Sequence, residues 1–370
     1  MTKLAFTGDI AFTKHFSGTF ADENLLDREI VDFLFSSDYT VVNMEGAVNN
    51  GPIQADKPLT HANPVECVDW MKKINGTIWN LANNHAMDCG EEGMKSTLEV
   101  AESNKFLTLG AGMDINAAKA PVIIDRDGGI GIVSVTYDER DKAGAETPGC
   151  FWAEDEEEVK RQIQEIKQKN KWCIVVSHVG HEFSQMPLPY LRNRYKRYLS
   201  YGADVIVGHH PHVVQNYEKF GDKIVFYSLG NFIFDTNYQR AQSYTDCGIL
   251  LKLQFNEDEF NWDFIPTKID RTSQRIFKGE TPAIFRNISG FEHGLLWPLM
   301  ARHLSKNEHK KNAFTHPEWS DRTWLQWFLK SDIEKCKKPY GKDLMLGRFL
   351  SLFGLWNFAD RNIVRYIQEK

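Results

Sequence analysis

The sequence predicts a layered α/β fold in which several strands end at a shared cleft, and three observations carry that prediction. Short apolar runs rich in β-branched residues alternate with segments of helical spacing through much of the chain before Gly248. Six of these runs stop in residues that can ligate a metal or move a proton: Asp9, Glu45, Asn84 with His85, His178, His210 with His212, and Asn231. One of them, Val205-Ile206-Val207-Gly208, runs straight into His209, His210 and His212. Ligands of layered α/β folds bind outside the carboxyl ends of the strands, so these ends can converge on one site.

In chain order, Leu4-Ala5-Phe6-Thr7 reads as a short strand ending at Gly8-Asp9. An isolated Gly-Asp is also a turn or helix cap. The next run, residues 39–42, again stops in an acid, within Asn43-Met44-Glu45-Gly46. Residues 64–73 have amphipathic helical spacing and lead into a strand over 77–82, which ends in Asn83-Asn84-His85 with Asp88 and Gly90 beyond. A helix over 90–104 follows, so this motif occupies a strand-to-helix junction, where backbone N–H groups can face an anion. Residues 121–125 and 131–135 read as strands around the turn Asp127-Gly128-Gly129. Residues 154–171 form a charged helix whose acidic start and basic end suit its dipole. The strand at 172–176 runs into Ser177-His178-Val179-Gly180-His181-Glu182, and a helix over 191–201 packs on it. Residues 224–227 run into Ser228-Leu229-Gly230-Asn231-Phe232. Beyond Gly248 the pattern becomes a hairpin, 249–255 with 260–269. From about Ile276 the chain reads as helical and rich in Trp and Phe, which sets a boundary near Gly279 and divides a first domain, 1–278, from a helical extension, 279–370. The extension holds His293, His303, His309 and His316 without metal-like spacing.

Composition narrows the function. With 370 residues, 42% hydrophobic and 25% charged, the chain is an ordinary globular protein of about two domains. A net charge of −6 gives no global reason to bind nucleic acid or an anionic membrane. The 6 cysteines are scattered with no C-x-x-C pair and read as reduced thiols. The first apolar run begins at Leu4, which leaves no room for a leader, and no apolar stretch is long enough for a membrane span, so a cytoplasmic location is expected. A serine-hydrolase elbow, a P-loop and a dinucleotide-binding glycine fingerprint are all absent.

The strand-end residues define a chemistry. His210 and His212 flank Pro211, so an extended backbone would carry both rings to one side, toward a shared metal. Oxygen donors (Asp9, Glu45, Asn84) with imidazoles (His178, His210, His212) suit Mn, Fe or Zn better than Ca or a closed structural Zn site. The supply is enough for two ions, bridged by a carboxylate such as Glu45 and holding water for in-line attack on a phosphate ester. His85, beside a proposed ligand, is the proton donor for the leaving oxygen, and Asp88 either orients its ring or caps the following helix. Lys57 and His61, in the loop at 51–63, either touch a substrate or are ordinary surface-loop residues, and Glu182 and Asn231 are further substrate-binding candidates.

The motifs Gly8-Asp9, Asn43-Met44-Glu45-Gly46, Ala82-Asn83-Asn84-His85-Ala86-Met87-Asp88-Cys89-Gly90, His178-Val179-Gly180-His181-Glu182, Gly208-His209-His210-Pro211-His212-Val213 and Ser228-Leu229-Gly230-Asn231-Phe232, in this order across residues 3–255, resemble the capsule-synthesis, CapA-type family. That family is associated with poly-γ-glutamate capsules and is related to calcineurin-like metallophosphoesterases. The resemblance implies a metallophosphoesterase-like four-layer sandwich, two mixed β-sheets packed face to face and flanked by helices. It also implies that Asp9, Glu45, Asn84, His178, His210 and His212 are metal ligands and His85 the catalytic acid, with His209 outside the ligand set. One departure stands out: the wider phosphoesterase pattern opens D-x-H, whereas Ile10 and Ala11 follow Asp9 here.

Together these readings predict a metal-dependent hydrolase, a phosphoesterase in capsule, envelope-polysaccharide or poly-γ-glutamate synthesis, acting on a small or polymer-linked phosphoester. The alternatives are amide-bond chemistry on a glutamyl polymer, or a non-catalytic scaffold that recruits a capsule-biosynthesis partner through its C-terminal helices.

Overall fold

The computed structural model describes residues 1–56, 59–294 and 296. Two mixed β-sheets dominate it. The first runs, in spatial order, Arg275–Lys278, Phe260–Asp270, Cys247–Phe255, Thr2–Ile10, Tyr39–Met44, Ile78–Asn80 and Leu107–Leu109, with Asn231–Ile233 also paired to Thr2–Ile10. The second runs Tyr217–Phe220, Lys223–Phe226, Val205–His209, Trp172–His178, Ile130–Thr136 and Val122–Ile124. In each sheet the central strands are parallel and the outer hairpins antiparallel.

Side-chain alternation explains the layering. Leu4 and Phe6 share one core with Ile174, Val176, Val205 and Val207 of the second sheet, so the sheets pack face to face. Ala5, Val42 and Trp79 point the other way, under Ile30 and Phe33 of helix Arg28–Phe35, Trp70 of helix Val68–Lys73 and Met94 of helix Gly90–Ser103. Cys173, Val175 and Ile206 likewise meet Val159 and Ile163 of helix Glu156–Lys169 and Leu191 and Tyr195 of helix Pro189–Tyr201. The result is the four-layer sandwich that the family resemblance implied, and strands buried on both faces account for the near-continuous apolar runs.

Residues just past position 279 do not leave this body. Ile284, Phe285 and Ile288 join the core between the sheets, and His293 is buried with its Nε2 at 2.8 Å from the Pro187 carbonyl. The remainder of the expected extension lies outside the described residues. Among the described residues Cys67, Cys89, Cys150, Cys173 and Cys247 are free thiols, and no helix is long and apolar enough to cross a membrane.

Candidate metal centre

Strand register brings the polar residues together. Thr2–Ile10 pairs with Tyr39–Met44 so that Asp9 lies opposite Asn43, and on its other edge with Asn231–Ile233 so that Asp9 lies opposite Asn231. Asn43 in turn lies opposite Asn80, and in the second sheet His178 lies opposite His209. Asp9 can sit so close to the chain at 230 only because residue 8 is glycine: a Cβ there would stand 2.3 Å from the Gly230 carbonyl oxygen.

Hydrogen bonds then fix the donors. Asn80 Nδ2 donates to Asn43 Oδ1 at 2.6 Å, and Asn43 Nδ2 donates to Asp9 Oδ1 at 2.8 Å, a ladder that aims the carboxylate. His212 Nδ1 lies 3.0 Å from both Asp9 Oδ2 and Asn231 Oδ1, and its Nε2 lies 3.5 Å from Glu45 Oε1. Asp9, Glu45 and His212 can each offer a ligand atom within 4.8 Å of the others. His178 Nε2 meets Asn84 Oδ1 at 2.9 Å and lies 3.9 Å from Glu45 Oε1, and the His210 ring is 5.0 Å from that of His178. Asp9, His178 and His212 therefore lie close to Glu45, and Asn84 and His210 adjoin it through His178.

The backbone behind the histidines differs from the expected extended run. The strand ends at His209, and His210 and His212 adopt φ values of 93° and 56°, in the left-handed region. The segment turns there, with the Phe183 amide donating to the Pro211 carbonyl at 2.8 Å, and the turn rather than the period of a strand brings the two rings to 6.0 Å.

His85 and Asp88 form a unit. His85 Nδ1 is 2.7 Å from Asp88 Oδ2, which also accepts the His61 amide at 2.6 Å, while His85 Nε2 faces the centre, 3.9 Å from Glu45 Oε1. Asp88 does not cap the next helix, whose N-cap is Cys89. Among the residues expected to touch substrate, Asn231 is buried, with its side-chain amide bonded to His212, Gln239 and the Thr245 carbonyl. Glu182 is half-buried and accepts from the Tyr238 hydroxyl at 2.9 Å. Lys57 lies outside the described residues.

Sequence reasoning omitted two contributors. His209 puts Nδ1 3.3 Å from Asp9 Oδ1, on the acid whose D-x-H partner imidazole is missing. Asn43 holds both Asp9 and, at 3.3 Å, His178 Nδ1. Both stand at strand ends, the same signal that marked the others. A separate cavity of about 560 Å3, with Glu66, Asp69 and Glu99 in its wall, shares no residue with this centre.

Charge in this buried cluster is uneven. Burial alone would raise the Asp9 pKa, but His209 and His212 outweigh it and hold the acid well below the usual carboxylate range. Burial pushes Glu45 well up, and the neighbouring carboxylates add to it. Burial works against a charged His212, yet Glu45 and Asp9 raise its pKa to about 9. His178 and His61 are pushed well down by burial and stay neutral. A proton is thus retained on the Glu45 and His212 pair at neutral pH, and any cation bound there would have to displace it. Mn affinity should rise about tenfold per pH unit between roughly pH 6.5 and 9 and then level off. Calorimetric titration at several pH values checks this; an affinity flat across that window would refute it.

A sequence profile described as bacterial capsule synthesis protein PGA_cap matches residues 3–236. The chain is 33% identical over 253 residues to a PGA biosynthesis protein, CapA, of Bacillus subtilis, covering 64% of each chain. It is 30% identical over 257 residues to the capsule biosynthesis protein CapA of Bacillus anthracis, covering 65% of this chain and 61% of that one. The chain thus spans under two thirds of the length of these relatives. A solved structure of a putative 5'-nucleotidase from Staphylococcus aureus aligns over 84% of this chain and 58% of its own, at 14% identity and a TM-score of 0.43.

Proposed function

The chain belongs to the bacterial capsule synthesis protein family PGA_cap, and from that premise we propose that it is a metal-dependent hydrolase acting on a phosphoester in the synthesis of a capsule polymer. The observation that carries this reading is Glu45. Both of its carboxylate oxygens are buried without a hydrogen-bond partner, at the point where His85, His178 and His212 meet. A buried carboxylate with neither oxygen satisfied costs several kcal/mol unless a cation offsets it. The donors around it are of the type that bind Mn, Fe or Zn, so the residues fit divalent metal.

Asp9, Glu45 and His212 would hold one ion, and Glu45 with Asn84, His178 and His210 a second. When bound, such ions polarise a phosphoryl oxygen and lower the pKa of water. The rest falls to the chain. The Asn80 and Asn43 ladder keeps Asp9 aimed, Asn231 turns His212, and Asp88 holds the Nδ1 proton of His85 so that Nε2 faces the reacting group. In that orientation His85, when protonated, delivers its Nε2 proton to the leaving oxygen. Phe234, with its ring 4.6 Å from that of His212, shields the imidazole from water.

Elemental analysis of protein purified without chelating resin, followed by assays with Mn on p-nitrophenyl phosphate and on a γ-glutamyl peptide, tests this. About two equivalents of metal and release of phosphate alone support it. Metal-dependent cleavage of only the peptide would move the activity to amide bonds, and absence of both bound metal and turnover would leave a scaffold.

A further inference from the structure

A cleft of about 490 Å3 opens beside the centre, with Lys14, His15, His61, Asn237 and Tyr238 in its wall. Four contacts join it to the residues already described. The His61 ring lies 4.2 Å from that of His85, Phe234 packs on both His61 and His212, and the Tyr238 hydroxyl donates to Glu182. The cleft is therefore next to the imidazole that faces the leaving group.

Its wall is mainly apolar, and Lys14 is the one Lys or Arg in it among the described residues. No carboxylate of the described residues lines it, and Asp235, next to the wall residue Thr236, is engaged by Arg240 and Arg271. Lys14 is exposed and has no carboxylate partner among the described residues. It is also held with φ at 53°, a left-handed conformation that non-glycine residues seldom adopt. The loop after Asp9 explains why it is held there. Ile10, Ala11 and Phe12 are buried, the Phe12 amide donates to Asn63 Oδ1 at 2.7 Å, and Thr13 Oγ1 meets His61 Nδ1 at 3.3 Å. The loop that lacks the D-x-H imidazole instead delivers Lys14 and His15 to the cleft, where His15 Nε2 donates to Asn237 Oδ1 at 2.9 Å across its mouth.

We propose that this cleft binds the anionic body of the leaving group, a carboxylate or phosphate carried close to the scissile ester, with Lys14 as its counter-ion and His15 and Asn237 as its polar wall. The inference rests on the reading above only in the assignment of His85 to the leaving-group side. Carboxylate and phosphate share the chemistry Lys14 recognises, and the probes separate them.

The experiment is calorimetric titration of the full chain, with and without Mn, using glutarate and inorganic phosphate as separate probes. At least one probe should bind the metal-free protein, and whichever does names the anion. Lys14→Glu should weaken that binding about tenfold or more, while Lys14→Arg retains it. Melting temperature and Mn content equal to wild type show that Lys14→Glu is folded; if it is not, Lys14→Gln takes its place. Binding of neither probe, or equal binding by wild type and the charge-altered variant, overturns the proposal. Lys14-dependent binding in a protein that hydrolyses nothing would keep the subsite and remove the hydrolase reading, so the two fail separately.

Discussion

Glu45→Gln is expected to make the metal-free protein more stable, by about 1–3 kcal/mol, and at the same time to abolish the stabilisation that added Mn confers. Glu45 is fully buried, its two oxygens have no hydrogen-bond partner, and its pKa is pushed well up, all of which mean that the folded chain without metal is strained by this carboxylate. The amide removes the charge and keeps the shape. His212 retains Asp9, at 3.0 Å, as its counter-ion. Wild type should gain about 2.7 kcal/mol at a Mn concentration a hundred times Kd, and the variant nothing measurable. Urea denaturation in EDTA and in Mn reads both signs. A variant less stable than wild type in EDTA would mean that Glu45 serves the fold, and the argument for a cation would go with it.

That opposition of stability and ligation also explains which parts of the molecule were legible in the sequence. Runs such as residues 172–176 and 205–207 announce strands because they are buried on both faces, and the abrupt change to His178 or His209 marks the point where each strand leaves the core. Asp9, Glu45, Asn84, His178, His210 and His212 could thus be nominated from local pattern, and the fold class followed from the alternation of these strands with helices. What pattern could not supply was register. That Asn43 stands opposite both Asp9 and Asn80, making a ladder of amides, depends on pairings between strands tens of residues apart. The approach of His61 to His85 depends likewise on Asp88 accepting the His61 amide. The left-handed turn at His210 and His212 escaped for a different reason: proline at 211 is compatible with an extended chain, and the bond from the Phe183 amide to the Pro211 carbonyl that accompanies the turn is not visible in the local sequence. Asn231 was found as a strand-end residue, yet its contact with His212 Nδ1 depends on the packing of two separate segments.

His85→Asn should lower kcat by a factor on the order of 10²–10⁴ for a phosphoester with a poor leaving group, and much less for p-nitrophenyl phosphate. The difference follows from the role. A p-nitrophenolate departs without a proton, whereas an alkoxide does not, so removing the Nε2 proton donor matters in proportion to the basicity of the leaving oxygen. Asp88→Asn should show the same leaving-group dependence at a smaller scale, about 10- to 100-fold, because in the proposed mechanism Asp88 reaches the reaction through His85, whose Nδ1 lies 2.7 Å away, while it also accepts the His61 amide. Both variants should keep the metal content of wild type, since neither residue belongs to the donor set of Asp9, Glu45 and His212. Steady-state rates on an alkyl and an aryl phosphate, with elemental analysis of each variant, separate the cases. A loss of equal size on both substrates, or one that tracks loss of metal, would assign His85 to the structure of the centre, since only a proton donor distinguishes leaving groups while leaving the metal in place.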